Sequence, residues 1–118
     1  MEKISWGQML DLIKDMSNTL SDHGIHYLVS GSFAFRLITQ EEIVIHDVDI
    51  IVSEKDFDKL VEILSVSQLN LNPIKTQYSI HANHKLLSGE DGKPLDISFD
   101  SYEHYYVDSS FDFRSSQE

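Results

Sequence analysis

The sequence predicts an α+β fold in which a small mixed β-sheet carries helices packed on it. Three observations lead there. The chain has 118 residues, enough for one domain with a real core. Its apolar residues recur with helical period in some segments and gather in short β-branched blocks in others. The resulting order is helix, strand, helix, strand, helix and then a pair of strands, which breaks the regular alternation of a parallel α/β fold. One domain over 1–118 is expected, with the tail after about residue 107 weakly structured because "VDSSFDFRSSQE" is polar and poorly patterned.

Taken in order, Ile4, Met9, Leu10, Ile13, Met16 and Leu20 mark residues 5–22 as an amphipathic helix. Gly24 is placed to end it in the left-handed conformation. "IHYLVSG" then reads as a short buried strand, and "SFAFRLITQ" as a helix ending near Gln40. "IVIHDVDIIV" is the next strand. Ser53, with Asp56 three residues on, opens a helix over "EKDFDKLVEILS" with Phe57, Leu60, Val61 and Leu64 on its apolar face. "SQLNLNP" reads as loop, whereas "YSIHA" and "HKLLS" have strand character with no legible pairing. "GEDGKP" has the composition of a hairpin turn leading into "LDISFD".

Composition narrows the function classes. A net charge of −11 opposes direct nucleic-acid binding, which needs Lys and Arg to displace counterions from phosphates. No apolar run reaches the roughly 20 residues of a membrane helix, and the N-terminal "MEKISWGQMLDLIKDM" lacks the form of a secretion signal. The absence of cysteine excludes disulfides and thiolate zinc sites. A cytoplasmic protein without membrane association is expected.

Asp47 and Asp49 stand inside the apolar run "VIHDVDIIV", where unpaired carboxylates are costly. Residues two apart in a strand share a face, so the two carboxylates project together, with Cα atoms roughly 7 Å apart. Such a pair suits Mg²⁺, which takes a few carboxylates plus water and substrate phosphate. Gly31 and Ser32 follow one strand and open a helix, where free backbone N–H groups and the helix dipole favour a phosphate.

A Gly-Ser turn, then an apolar-Asp-apolar-Asp-apolar strand, then a later carboxylate with apolar neighbours is a combination that resembles the DNA polymerase beta type nucleotidyltransferase superfamily. The matching residues are Gly31 and Ser32 in "LVSGSFAF", Asp47 and Asp49 in "IHDVDIIV", and Asp96 in "PLDIS". The resemblance spans about residues 25–99. It implies a nucleotidyltransferase-like fold and transfer of a nucleoside monophosphate from a nucleoside triphosphate to an acceptor hydroxyl. Asp47, Asp49 and Asp96 would be the Mg²⁺ ligands and catalytic acids, and Gly31 and Ser32 would hold the triphosphate. Asp100 competes for the third place. It lies roughly 13 Å from Asp96 along the strand, and Asp96 better matches the flanking pattern. "EEIVIH", ahead of the pair, departs from relatives that carry arginine and threonine there. The alternative is therefore a catalytically weak or inactive binding protein of this fold, such as one half of a toxin–antitoxin pair whose partner supplies a helical half. An unrelated α+β domain with chance acids is the third reading.

Other residues compete weakly. His46-Asp47 has the form of a phosphohydrolase His-Asp pair but sits in a strand. His81 and His84 read as surface or hairpin histidines. Arg36, Lys75 and Lys85 are phosphate partners by charge alone, with Arg36 a solvated helix residue. Trp6, Tyr102, Tyr105 and Tyr106 could stack a base but more simply pack.

Overall fold

A computed structural model describes residues 1–104 of the chain. Strand β1 (Glu2–Lys3) leads into α1 (Trp6–Asp22), β2 (Tyr27–Ser30), α2 (Gly31–Thr39), β3 (Asp47–Val52), a 3₁₀ turn (Glu54–Asp56), α3 (Phe57–Val66), β4 (Leu71–Lys75), β5 (Ser79–Ser88) and β6 (Pro94–Ser101). The predicted weakly structured tail, with Tyr105 and Tyr106, lies outside the described residues.

The strands form one six-stranded mixed sheet in the order β1-β5-β6-β3-β2, with β4 also paired to β5. β3 runs parallel to β6, and β2 lies antiparallel to β3. β5 is antiparallel to both β6 and β4. The α+β class and the mixed sheet with helices packed on it are as the sequence predicts. No helix among the described residues is long and apolar enough to cross a membrane.

α1 begins with a reciprocal capping box: Ser5 Oγ accepts from the Gln8 N–H at 3.1 Å and Gln8 Oε1 accepts from the Ser5 N–H at 2.8 Å. Its buried stripe is Met9, Leu12, Ile13, Met16 and Leu20, so Leu12 takes the place expected for Leu10, which is exposed. The chain leaves α1 through Gly24 at φ +70°, a conformation that costs glycine little. Residues of all three helices share one core with Val48, Ile50 and Val52 of β3, Leu95, Ile97 and Phe99 of β6, and Ile80 and Ala82 of β5. The helices therefore cover one sheet face.

Three expectations need correction. β3 starts at Asp47, four residues later than predicted, because pairing with β2 reaches only Asp49 and pairing with β6 ends at Asp47; Ile45 is buried without being in a strand. "LNPIK" is the edge strand β4, where Pro73 is tolerated because an edge leaves one side of the backbone unpaired. Ser53 does not form a capping box with Asp56. Its hydroxyl donates to Glu103 Oε1, and Glu103 Oε2 accepts from the Glu54 N–H at 2.8 Å, so the turn before α3 is capped from the far end of the chain's last described segment. Burial alone would raise the Glu103 pKa, but these bonds hold it below the usual carboxylate range.

Candidate functional site

β3 divides its side chains by the period of two. Val48, Ile50 and Val52 enter the core, and Asp47 and Asp49 take the other face, with Asp47 exposed and Asp49 half-buried. The register then sets three rows across that face. Asp47, Asp96, Asn83 and Asn72 make the first, and Ser30, Asp49, Ser98, His81 and Ile74 the second. The third holds Leu28, Ile51, Asp100 and Ser79. Asp47 thus stands directly beside Asp96 on the neighbouring parallel strand, with Asp49 one row away.

Part of this face borders a cleft of about 540 Å³ lined by Asp47, Asp49, Asp96, Asp100, His81 and Ser98 together with Thr76, Gln77, Tyr78, Ser79 and His104. His81 bridges it: Nδ1 lies 3.2 Å from Asp96 Oδ2, and Nε2 lies 3.2 Å from Ser79 Oγ. Ser98 Oγ donates to Asp100 Oδ1 at 3.0 Å. Asp96 Oδ1 is buried without a hydrogen-bond partner, a costly state for a carboxylate oxygen that has no cation.

The electrostatics are those of crowded like charges. Burial raises the Asp49 pKa above its ordinary value, Asp47, Asp100 and Asp96 raise it further, and His81 works against them. Asp100 is raised by burial first, with its Ser98 hydrogen bond and His81 opposing and Asp96 and Asp47 adding to the rise. Asp49 and Asp100 therefore both feel the neighbouring carboxylates Asp47 and Asp96, so Asp100 belongs to the same charged cluster despite its distance from Asp96 along β6. Asp49, one strand over, sits beside Ser98, midway between Asp96 and Asp100 in register.

The Gly-Ser turn meets the acids at Asp49. Ser30 is the N-cap of α2 without a side-chain cap bond, and its hydroxyl lies 3.5 Å from the Asp49 carbonyl oxygen. Gly31 has φ +70°, and a Cβ there would lie 2.5 Å from Asp49 Oδ2, so both backbone conformation and space call for glycine. Ser32 occupies the first turn of the same helix.

No family model, curated protein or solved structure matches this chain. What the site can hold is accordingly judged from its own donors. Among the described residues no group of three or more acidic or histidine side chains is drawn together closely enough to hold a metal ion. The donors are instead carboxylates spread along an open face, with one buried oxygen unpartnered and two pKa values raised. That chemistry fits Mg²⁺, which keeps water and phosphate among its ligands.

Several other sequence candidates fall elsewhere. Arg36 is not a solvated helix residue: its guanidinium lies 4.0 Å from the Trp6 ring centroid and donates to the Ile43 carbonyl at 3.1 Å. Trp6 itself packs on Phe33 with ring centroids 5.3 Å apart. Lys75 pairs with Asp58 at 2.7 Å, and neither it nor Lys85 lines the cleft. His46 Nδ1 is 3.9 Å from Asp91 Oδ2, in an adjoining cleft that shares Asp47, His81 and Asp96 and also contains Lys93. His84 is buried, not a surface histidine, and its Nδ1 accepts from the Leu86 and Leu87 N–H groups. Sequence reasoning missed His81, Ser98 and Tyr78 as cleft residues. Ser98 was accessible from the Asp96-Ser98-Asp100 alternation; His81 and Tyr78 required the β5–β6 register.

Proposed function

We propose that this protein is nucleotidyltransferase-like and transfers a nucleoside monophosphate from a nucleoside triphosphate to an acceptor hydroxyl. The observation that supports this best is the pairing of Asp47 with Asp96, one row from Asp49 and Gly31 at the start of α2. Asp47, Asp49 and Asp96 would hold Mg²⁺. When bound, the metal offsets phosphate charge and lowers the pKa of the attacking hydroxyl.

The chain's own groups have distinct tasks. The first-turn N–H groups of α2 have no partners within the helix and bind phosphate oxygens, helped by the dipole. Gly31 allows close approach, and Ser32 adds a hydroxyl donor. Asp96 accepts the proton of the attacking hydroxyl, its carboxylate oriented by the contact of Oδ2 with His81. The acceptor oxygen forms its bond to the α-phosphorus as the bond to the bridging oxygen breaks, and pyrophosphate leaves with that electron pair.

One observation favours a second reading. Among the described residues no Lys or Arg lines the main acidic cleft, as expected for a weak or inactive binding protein whose partner supplies the cations, such as one half of a toxin–antitoxin pair. The test is transfer of label from α-phosphate-labelled nucleoside triphosphates, with Mg²⁺ and cell extract as the source of acceptors. Labelled product and pyrophosphate from the wild type, and neither from the Asp47→Asn/Asp49→Asn variant, would establish the enzyme. Mg²⁺-dependent nucleotide binding without product would establish the binding protein.

A further inference from the structure

The end of the acidic cleft formed by the β4–β5 turn is unlike the rest. It carries rings in place of charges. Tyr78 and His104 stack with centroids 4.1 Å apart and planes 11° from parallel, and both line the cleft together with Asp49 and Asp100. Both are substantially exposed, Tyr78 at 41%, so their contact does not bury them in the core. An exposed flat aromatic pair at one end of a polar cleft is a surface on which another flat ring stacks.

The turn holds this surface in place. The Thr76 N–H donates to the Ser79 carbonyl at 2.8 Å, and Thr76 Oγ1 lies 2.8 Å from Ser79 Oγ. On the other side the Ser101 N–H donates to the Tyr78 carbonyl at 2.9 Å, which continues the β5–β6 ladder past the Ser79–Asp100 pair. Gln77 Nε2 donates to the Tyr78 hydroxyl at 3.0 Å. That bond fixes an exposed amide beside the ring, with an acceptor oxygen and a second N–H that can meet the edge of a base.

Position agrees with this chemistry. Tyr78 lies level with Ser101, and Asp49 level with Ser98, so Tyr78 stands about three residues, roughly 10 Å, along the strands from the Asp49 row and two strands across the sheet, roughly 14 Å in all between backbones. With both side chains lining the same cleft, that span is on the scale of a nucleotide between its base and its outer phosphates.

We propose that the Tyr78–His104 stack, with the Gln77 amide at its edge, is a nucleobase-binding shelf for a nucleotide whose phosphates lie at Asp47, Asp49 and Gly31. The inference rests on the reading of the acids as a metal-phosphate site and adds the group that recognises the base. Stacking is tolerant of base identity because every base has a π-face, so the shelf accepts purine and pyrimidine nucleotides, with purines favoured by their larger ring area.

Calorimetric titration of the full chain, in Mg²⁺, with ATP, UTP and inorganic tripolyphosphate tests it. The wild type is expected to bind ATP at least fivefold more tightly than tripolyphosphate, with UTP between them. Tyr78→Ala is expected to erase most of that advantage while leaving tripolyphosphate binding unchanged, and Tyr78→Phe to retain it. Because the ATP-to-tripolyphosphate ratio is read first on the wild type, the result does not depend on how well a variant folds. Equal binding of ATP and tripolyphosphate by the wild type, or a Tyr78→Ala ratio equal to that of the wild type, overturns the shelf while leaving the metal-phosphate reading intact. If none of the three binds, the metal-phosphate reading falls and the shelf with it.

Discussion

Asp49 lies against the start of α2 at Gly31, and partial burial and three other carboxylates act on it. Its folded pKa is raised, first by burial and then by Asp47, Asp100 and Asp96. The sign of the linkage follows. The folded state holds a proton more readily than the unfolded chain, so the associated stability is full below the unfolded value of 3.8 and is lost as pH rises through the folded value. At neutral pH the ionised Asp49 thus works against the fold when no metal is bound. Asp49→Asn should raise the thermal midpoint at pH 7 in chelator by about 2–5 °C, the effect of roughly 0.5–1 kcal/mol for a partly solvated charge. Calorimetric melts at pH 7 and pH 3.5 check this: the gain should shrink at the lower pH, and a variant less stable than wild type at pH 7 would refute it. At this scale the sequence was informative where chemistry depends on neighbours along one strand. Asp47 and Asp49 share a face by the period of two, and Asp96 stood out by its apolar flanks. The contact between His81 and Asp96 was not legible, since residues 15 apart in sequence meet only through the register of two strands.

At the scale of elements, β5 shows how a buried polar group shapes the sheet. Its register against β6 shifts between Asn83 and Ser88, and within that irregular stretch His84 Nδ1 accepts from the N–H groups of Leu86 and Leu87 at 3.1 and 3.0 Å. The imidazole thus gives two backbone donors an acceptor within the stretch where pairing with β6 is irregular. Burial lowers the His84 pKa below its ordinary 6.5. Here the unfolded chain binds the proton more readily, so stability is full above 6.5 and falls as pH drops through the folded value. His84→Ala should cost about 2–4 kcal/mol at pH 7.5 and should remove this part of the pH dependence. Urea unfolding at pH 7.5 and 5.5 measures both, and an unchanged wild-type-like slope with pH in the variant would contradict the assignment. The bulge also explains why the pairing of "YSIHA" and "HKLLS" resisted sequence reading: they belong to one strand whose alternation slips in the middle. β4 was hidden for a different reason, as Pro73 and the surrounding asparagines have loop composition and only the free edge of β5 makes them a strand. The helices were legible because each carries a continuous apolar stripe or a buried anchor.

The whole molecule separates packing from charge. One sheet face is covered by helices and holds the core, and the other gathers Asp47, Asp49, Asp96 and Asp100 around one open cleft. With a net charge of −11, nothing in the overall balance draws an anion to that face, so the proposed nucleotide would have to arrive with cations. The order of strand, glycine turn, helix and acidic strand was readable in sequence. The assembly of the acids into a single cleft was not, because it depends on the parallel pairing of β3 with β6, two strands separated by α3, β4 and β5. On the proposed function, these aspartates take up phosphate only through a metal. The most direct test of this is calorimetric titration with a non-hydrolysable nucleoside triphosphate analogue, with Mg²⁺ and then with chelator. Wild-type protein should bind in Mg²⁺ and show no measurable heat in chelator, and Asp47→Asn/Asp49→Asn should bind in neither. Equal binding with and without Mg²⁺, or undiminished binding by the double variant, would rule out a metal-borne phosphate at these aspartates.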